Sequence, residues 1–339
     1  MSAIVIAETS GSESDFKFDV KLQKHQVKEL EAGESLVKIH AAALNHRDIW
    51  IMKGQYPGPS PVGSVLAADG VGTVVKNGST AAVEVGQRVL INPGRGWDSD
   101  EREPERTFSI LGTLAESVTI ESKELVPCPD HLSNTEAAAL PLVGLTAFRA
   151  VFTKAQVKKG DHVLVTGIGG GVAITALQFA IAAGAHVYVT SSSPEKIQRA
   201  VSLGAKGGVS YKDENFVAEL KKLLGDNLLS AIIDGSGGPL YQQYPDVLRN
   251  GGIIVNYGQT AGIAPFNRSA FIKNIELRGS TMGSRREFQE MVTFVKERQI
   301  KPIVSQVWHG LSEKSVKEAL QVMNQGQQFG KLVIEVDNN

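Results

Sequence analysis

Cysteine is almost absent from this chain. Cys128 is the only one in 339 residues, so no internal disulfide and no multi-cysteine zinc site can form. That usage fits a reducing compartment, and a cytoplasmic location is expected. An excess of one charge is missing too: Lys and Arg number 35 against 36 Asp and Glu, a formal net charge of −1. A balanced surface offers no overall attraction to nucleic acid or to an anionic membrane, and neither is expected as a partner. No apolar run is long enough to span a bilayer. The opening MSAIVIAETSGSESDFKF has no basic start, no sustained apolar core and little arginine, so neither a secretory signal nor a mitochondrial presequence is expected. What is present is ordinary globular composition, 42% hydrophobic and 21% charged, in a chain long enough for two domains.

The most informative stretch is Val163 to Lys196, VLVTGIGGGVAITALQFAIAAGAHVYVTSSSPEK. It reads as strand, glycine turn, helix, strand. Val163 to Thr166 suit a buried parallel strand. Gly167, Gly169, Gly170 and Gly171 make a turn that few side chains could follow. An Ala-rich helix then begins near Val172 and ends at Gly184. Such a helix N-terminus offers backbone N–H groups and a positive dipole end to a pyrophosphate. Gly167 and Gly170 stand one residue further apart than in the common fingerprint, and Ala173 takes the third small position. The alternative is a tight turn with no ligand. The flanking strand and helix favour the nucleotide.

Residues 1–125 read mainly as short strands and glycine turns. Asn92 to Phe108 is polar and turn-rich, and is expected to be an exposed loop. Thr135 to Thr153 looks helical, kinked or divided at Pro141. Strands and helices then alternate: strand 163–166, helix 172–183, strand 185–190, helix 194–203, a short strand at Gly208–Tyr211, a helix near 214–224, strand 229–234, a helix near 240–248 and strand 252–257. This alternation means an α/β doubly wound parallel sheet, with a nucleotide at the carboxyl ends of its strands. A strand at Ile275–Ser280, helices at Arg285–Gln299 and Ser312–Asn324, and a last strand at Lys331–Val336 follow. The order fits a nucleotide domain inserted into a split β-rich domain.

At this level of detail the chain resembles the medium-chain dehydrogenase/reductase superfamily, and more closely its zinc-independent branch of quinone and enone reductases. The matching stretches are ALNHRDIWIMKGQYP (Ala43–Pro57), LAADGVGTVV (Leu66–Val75), AAALPLVGLTAFRAVF (Ala137–Phe152), the glycine turn, and GSTMGSRREF (Gly279–Phe288). The loop beginning INPGRGW is similar to that of a subgroup called zinc-type alcohol dehydrogenase-like. The resemblance implies a Rossmann domain at 131–267 set into a GroES-like catalytic domain at 1–130 and 268–339. It also implies an active site in the cleft between them, and a homodimer in which the Ile275–Ser280 strand pairs across a two-fold axis. The positions of the family's catalytic zinc ligands fall on Asn45, Ala68 and Leu142, so no metal is expected. An alternative site built from His46, Asp48 and Asp69 remains open.

The family places an NAD-specific carboxylate at the end of the second strand. Here the segment is Thr190-Ser191-Ser192-Ser193. Hydroxyls at Ser191 and Ser192, the charge of Lys196, and Tyr211 resemble a 2′-phosphate site, so NADPH is the expected cofactor. A solvated helix lysine and a packing aromatic are the alternatives for Lys196 and Tyr211. The resemblance implies that Thr146 lines the nicotinamide pocket and that Lys331 reaches the cofactor phosphates. The strand end Asn256-Tyr257-Gly258 should face the cofactor. Without a metal, a quinone or α,β-unsaturated carbonyl is the easier hydride acceptor. Asn45 is suited to donate to its oxygen, and Tyr56 matches a tyrosine proposed as proton donor in enoyl reductases. Asp48 is read as orienting the loop and Arg47 as exposed. An NADPH-binding or RNA-binding protein with weak or vestigial catalysis and a zinc-type alcohol dehydrogenase are the alternative functions.

Overall fold

The computed structural model describes residues 1–9, 15–24, 29–58, 61–99, 110–263, 265 and 267–336. In chain order the strands are β1 (Ser2–Glu8), β2 (Phe18–Lys24), β3 (Glu34–Ala43), β4 (Asp69–Asn77), β5 (Arg88–Ile91), β6 (Ser117–Glu121), β7 (Leu125–Pro127), β8 (His162–Val165), β9 (His186–Ser191), β10 (Gly207–Ser210), β11 (Leu229–Asp234), β12 (Leu248–Asn256), β13 (Glu276–Gly279), β14 (Val304–His309) and β15 (Lys331–Glu335). The helices are α1 (His46–Met52), α2 (Asn134–Ala138), α3 (Pro141–Phe148), α4 (Gly171–Ala182), α5 (Pro194–Ser202), α6 (Phe216–Leu224), α7 (Arg268–Ile272), α8 (Arg285–Arg298) and α9 (Glu313–Asn324). Contacts group these into two compact units, Met1–Leu142 with Ser284–Asn339, and Val143–Gly283.

The first unit is built on β3. It pairs antiparallel with β4, β6 and β15, and the sheet runs β14-β15-β3-β4-β5-β7. Register decides what meets at its end. Ala43 stands opposite both Asp69 and Val333, so the residues just past β3 lie beside the starts of β4 and β15. Apolar side chains from α1, α9 and the strands close one core, including Ile4, Leu44, Ile49, Met52, Leu320 and Ile334.

The second unit is a six-stranded parallel sheet in the order β10-β9-β8-β11-β12-β13. This is the doubly wound order, whose direction reverses between the first strand, β8, and the fourth, β11. Its central strands β8 and β11 are buried and rich in Val, Ile and Leu, as strands covered on both faces require. α4 packs against β8 and β9 through a surface of Ala, Ile, Leu and Phe.

Two expectations are corrected here. The helix near 240–248 is instead a pair of single 3₁₀ turns, Pro239–Gln242 and Tyr244–Asp246, and β12 already starts at Leu248. The segment opens with Gly237 and Gly238 at positive φ, and Pro239 and Pro245 withhold N–H donors a longer helix would need. The loop from Asn92 is not exposed at its start. Asn92 and Trp97 are buried, with Asn92 donating to Glu124 at 2.7 Å. Residues 100–108 of that stretch lie outside the described residues. Pro141 does divide the helical region, leaving α2 and α3, and the chain then widens into a π turn over Arg149–Lys154.

Among the described residues, no helix is long and apolar enough to cross a membrane.

Candidate functional site

In the second unit the glycine turn joins β8 to α4. Gly167 and Gly169 have φ of +65° and +130°, which side chains rarely adopt. Gly170 is the N-cap of α4 and supplies no capping side chain, and a Cβ there would meet only the Gly167 carbonyl, 3.9 Å away. The first N–H groups of a helix have no partner within it. A wide, uncapped helix start is what a pyrophosphate needs. The Lys196 side chain lies over the turn: its Nζ is 3.2 Å from where a Gly169 Cβ would be. Burial, and then the charge of Arg199, hold that ammonium below the ordinary lysine range.

Ser192 and Tyr211 are exposed, at the carboxyl ends of β9 and β10. Ser191 is buried, with its hydroxyl accepting from the Ser193 N–H at 3.1 Å. Thr146 is buried in α3. Asn256 does more than end a strand. Its amide reaches Tyr241 Oη at 2.8 Å and Asp234 Oδ2 at 3.2 Å. Tyr257 bonds through its backbone N–H to the Asp234 carbonyl at 2.9 Å, and Gly258 lies so near Gly235 that a Cβ would come within 2.8 Å of its carbonyl.

Asp234 is a residue that reading the sequence missed. It is fully buried at the end of β11, and its carboxylate accepts from Thr166 Oγ1, the Ser236 hydroxyl and N–H, the Gly237 N–H, Tyr241 Oη and Asn256 Nδ2. It thereby ties together the ends of β8, β11 and β12, at the place where strand order reverses. Burial, and then this carboxylate, push the Tyr241 phenol above its ordinary range, so Tyr241 stays a donor. A signal was there to read: an acid closing the apolar run LSAII, followed by GSGG.

In the first unit the end of the β3 sheet carries a buried polar cluster. Asn45 follows β3 and precedes α1. Its Nδ2 donates to Asp69 Oδ2 at 2.9 Å, and its Oδ1 accepts from Lys331 Nζ at 2.7 Å. Lys331 Nζ also reaches Asp69 Oδ2 and the Leu44 carbonyl, each at 2.7 Å. Asp69 Oδ1 accepts the Leu142 N–H at 2.8 Å. Asp69 is fully buried and Lys331 is 4% exposed. The expected role of Lys331 is therefore corrected. An ammonium has only three donors, and all three are engaged inside this cluster, which leaves none for a cofactor phosphate. Gly330 delivers it: at φ +114° a Cβ would come within 2.3 Å of the Ile303 carbonyl. No spacing could announce the pair, since Asp69 and Lys331 are 262 residues apart.

Asp48 caps α1, its Oδ2 accepting the Asn45 N–H at 2.8 Å. Burial pushes its carboxyl above the usual range against the pull of Arg47. Arg47 is half-buried rather than exposed, 3.1 Å from Asp48 Oδ1, with its guanidinium 5.2 Å above the ring of Tyr56. Tyr56 itself is 43% exposed. His46 is exposed, and the described residues contain no group of three or more His, Cys, Asp or Glu placed to hold a metal. Burial pushes the Cys128 thiol up to about 11, which makes it inert at neutral pH.

Residues 31–130 match the alcohol dehydrogenase GroES-like domain family, and residues 171–297 match the zinc-binding dehydrogenase family. A zinc-type alcohol dehydrogenase-like protein of Leptosphaeria maculans is 42% identical over 328 residues, covering 90% of this chain and 91% of its own length. A crotonyl-CoA reductase of Streptomyces collinus is 26% identical, over 87% of this chain and 77% of that one. Among solved structures, an NAD-dependent alcohol dehydrogenase superposes with a TM-score of 0.87 at 33% identity, over 99% of this chain and all of the other. Both halves of the architecture, GroES-like and Rossmann, are thus matched along nearly the whole length, and the chain belongs to the medium-chain dehydrogenase/reductase superfamily as an oxidoreductase of that type.

Proposed function

We propose that this oxidoreductase is an NADPH-dependent, zinc-independent reductase of quinones or α,β-unsaturated carbonyls. The observation that carries the reading is the Lys331 ammonium seated on Asn45 Oδ1 and Asp69 Oδ2. Catalytic zinc needs three protein ligands and an open position. Ala68 and Leu142 carry no ligand atoms in their side chains, and the oxygens of Asn45 and Asp69 already face a fixed cation. These residues do not fit a divalent metal, whatever the family's name suggests.

The residues of the glycine turn do fit a dinucleotide. When bound, it supplies a hydride. Gly167, Gly169, Gly170, Gly171 and Val172 receive the pyrophosphate at the start of α4. Ser191, Ser192, Lys196 and Tyr211 hold the 2′-phosphate, since a carboxylate that would repel it is missing at the end of β9. Thr146 and the Asn256–Gly258 backbone border the nicotinamide.

A plain carbonyl would lack polarisation without a Lewis acid. A conjugated acceptor needs only donors at the oxygen where charge gathers. Asn45 fills that role through the Nδ2 hydrogen not given to Asp69, and the exposed Tyr56 hydroxyl returns the proton. The name of the crotonyl-CoA reductase relative denotes an unsaturated thioester of this electronic type. The edge strand β13, with Leu277, Phe271 and Ile272 exposed nearby, is the proposed homodimer contact.

The test is consumption of NADPH by the purified protein with quinones, enones and enoyl thioesters, beside plain ketones and alcohols, together with metal analysis. Turnover confined to the conjugated acceptors, with no bound zinc, is expected. Stoichiometric zinc, or alcohol oxidation with NAD⁺, would overturn the reading. Tight NADPH binding without turnover would leave a nucleotide binder.

A further inference from the structure

We infer that Lys331 is the positioning residue of the candidate site, and that its function is to fix which way round the Asn45 amide sits. This rests on the reading that Asn45 donates to the substrate oxygen. A carboxamide has two nearly isosteric ends, one accepting and one donating. Asn45 can assist a developing oxyanion only with its N–H, so an amide free to flip would present the wrong end. Here both ends are pinned. Lys331 Nζ can only donate, and it takes Oδ1 at 2.7 Å. Asp69 Oδ2 can only accept, and it takes one Nδ2 hydrogen at 2.9 Å. A flipped amide would set oxygen against carboxylate and NH₂ against ammonium at once.

The ammonium does more than select a rotamer. A cation on Oδ1 draws electron density through the planar amide, which makes the remaining N–H a stronger donor. The cluster is closed: Lys331 is held by the Leu44 carbonyl and Asp69, and Asp69 by the Leu142 N–H. Nothing in it has to move when charge arrives, which is the property a preorganised donor needs. Lys331 need not touch substrate or cofactor for this. It acts through Asn45.

The experiment is a double-mutant cycle on the full chain with NADPH and one accepted quinone or enone, comparing Asn45→Ala, Lys331→Met and the double variant. Outer groups that orient a working residue are typically worth roughly ten- to a hundredfold in activity. Lys331→Met is expected to lower kcat by about that factor with KM for NADPH unchanged, and to have no further effect once Asn45 is Ala. If Lys331→Met does not fold, Lys331→Met with Asp69→Asn removes both buried charges together. The same fall in kcat is then expected with Asn45 present and none without it. Equal falls in both backgrounds would show a merely structural lysine and overturn the inference. So would a rise in KM for NADPH with kcat intact, which would return Lys331 to the phosphates. Undiminished turnover in Asn45→Ala would overturn the donor reading itself, and the inference with it.

Discussion

A fully buried carboxylate at a strand end can be compared in each unit, Asp69 in the first and Asp234 in the second, and the two are satisfied in opposite ways. Asp69 in the first unit meets an ammonium, an amide and one backbone N–H. Asp234 in the second meets three hydroxyls, two backbone N–H groups and an amide, and no cation at hydrogen-bonding distance is among its described partners. A lone buried charge is costly, and either a counter-charge or a full set of oriented dipoles can offset it. The choice has consequences. The Asp69 cluster is neutral overall and presents a polarised amide. The Asp234 network ties strand ends together through neutral donors, inside the unit whose proposed ligand is an anion.

Breaking one partner should separate the two most sharply. Lys331→Met strands the Asp69 carboxylate in the core and should cost about 3–5 kcal/mol, because the desolvation penalty remains while the attraction is lost. Adding Asp69→Asn should recover most of that. Chemical denaturation of the single and double variants measures both. A double variant no more stable than Lys331→Met would mean that the pair is held by something other than its charges.

Asp234→Asn is the matching change in the second unit and should cost less, about 1–3 kcal/mol. An asparagine keeps one oxygen for the donors but turns NH₂ toward others, so one or two of the groups around it lose an acceptor. Thermal unfolding with and without NADPH checks it. A cost as large as that of Lys331→Met would erase the proposed difference between ionic and dipolar satisfaction.

How much of this could be read from the residues alone follows the same division. The second unit is local. A strand, the turn at Gly167–Gly171 and a helix are contiguous, and alternation of apolar runs gives the sheet its order. The 240–248 region misled because its apolar spacing suits a helix, while Gly238, Pro239 and Pro245 act against one. The first unit is non-local. Resemblance singles out Asn45 as a family zinc-ligand position, and Asp69 enters only as part of an alternative metal site, but strand register brings Lys331 to them across 262 residues. Resemblance placed Lys331 at the cofactor, and the β15 register instead seats it in the core.

The two lysines first assigned to the cofactor sharpen the comparison. All three donors of Lys331 are engaged inside its cluster, and Lys196 lies half-buried over the glycine turn. Lys196→Ala should weaken NADPH by roughly ten- to a hundredfold, the worth of a charge-assisted bond, and leave NADH nearly unchanged. Equal losses for the two cofactors would remove Lys196 from the 2′-phosphate. The pH dependence has a definite sign. The ammonium is held below the ordinary lysine range in the free protein, and an anionic phosphate bound beside it would raise it. The preference for NADPH is complete below the free value and fades as pH rises through the bound one.

Two tyrosines repeat the contrast with the smallest expected effects. Tyr241 is buried, donates to Asp234 Oδ2 at 2.9 Å and is held protonated by burial and that carboxylate. Tyr56 is 43% exposed under the Arg47 guanidinium. Tyr241→Phe removes one donor from a crowded carboxylate, so it should lower stability by about 1 kcal/mol without changing turnover per folded molecule. Tyr56→Phe should do the reverse. Stability should hold, and kcat should fall by no more than about tenfold, because water can replace an exposed proton donor far more readily than a buried one. The solvent isotope effect on kcat should change in Tyr56→Phe and not in Tyr241→Phe. Identical kcat and isotope effect in wild type and Tyr56→Phe would give the proton to water and leave Asn45 as the only side chain acting on the substrate oxygen.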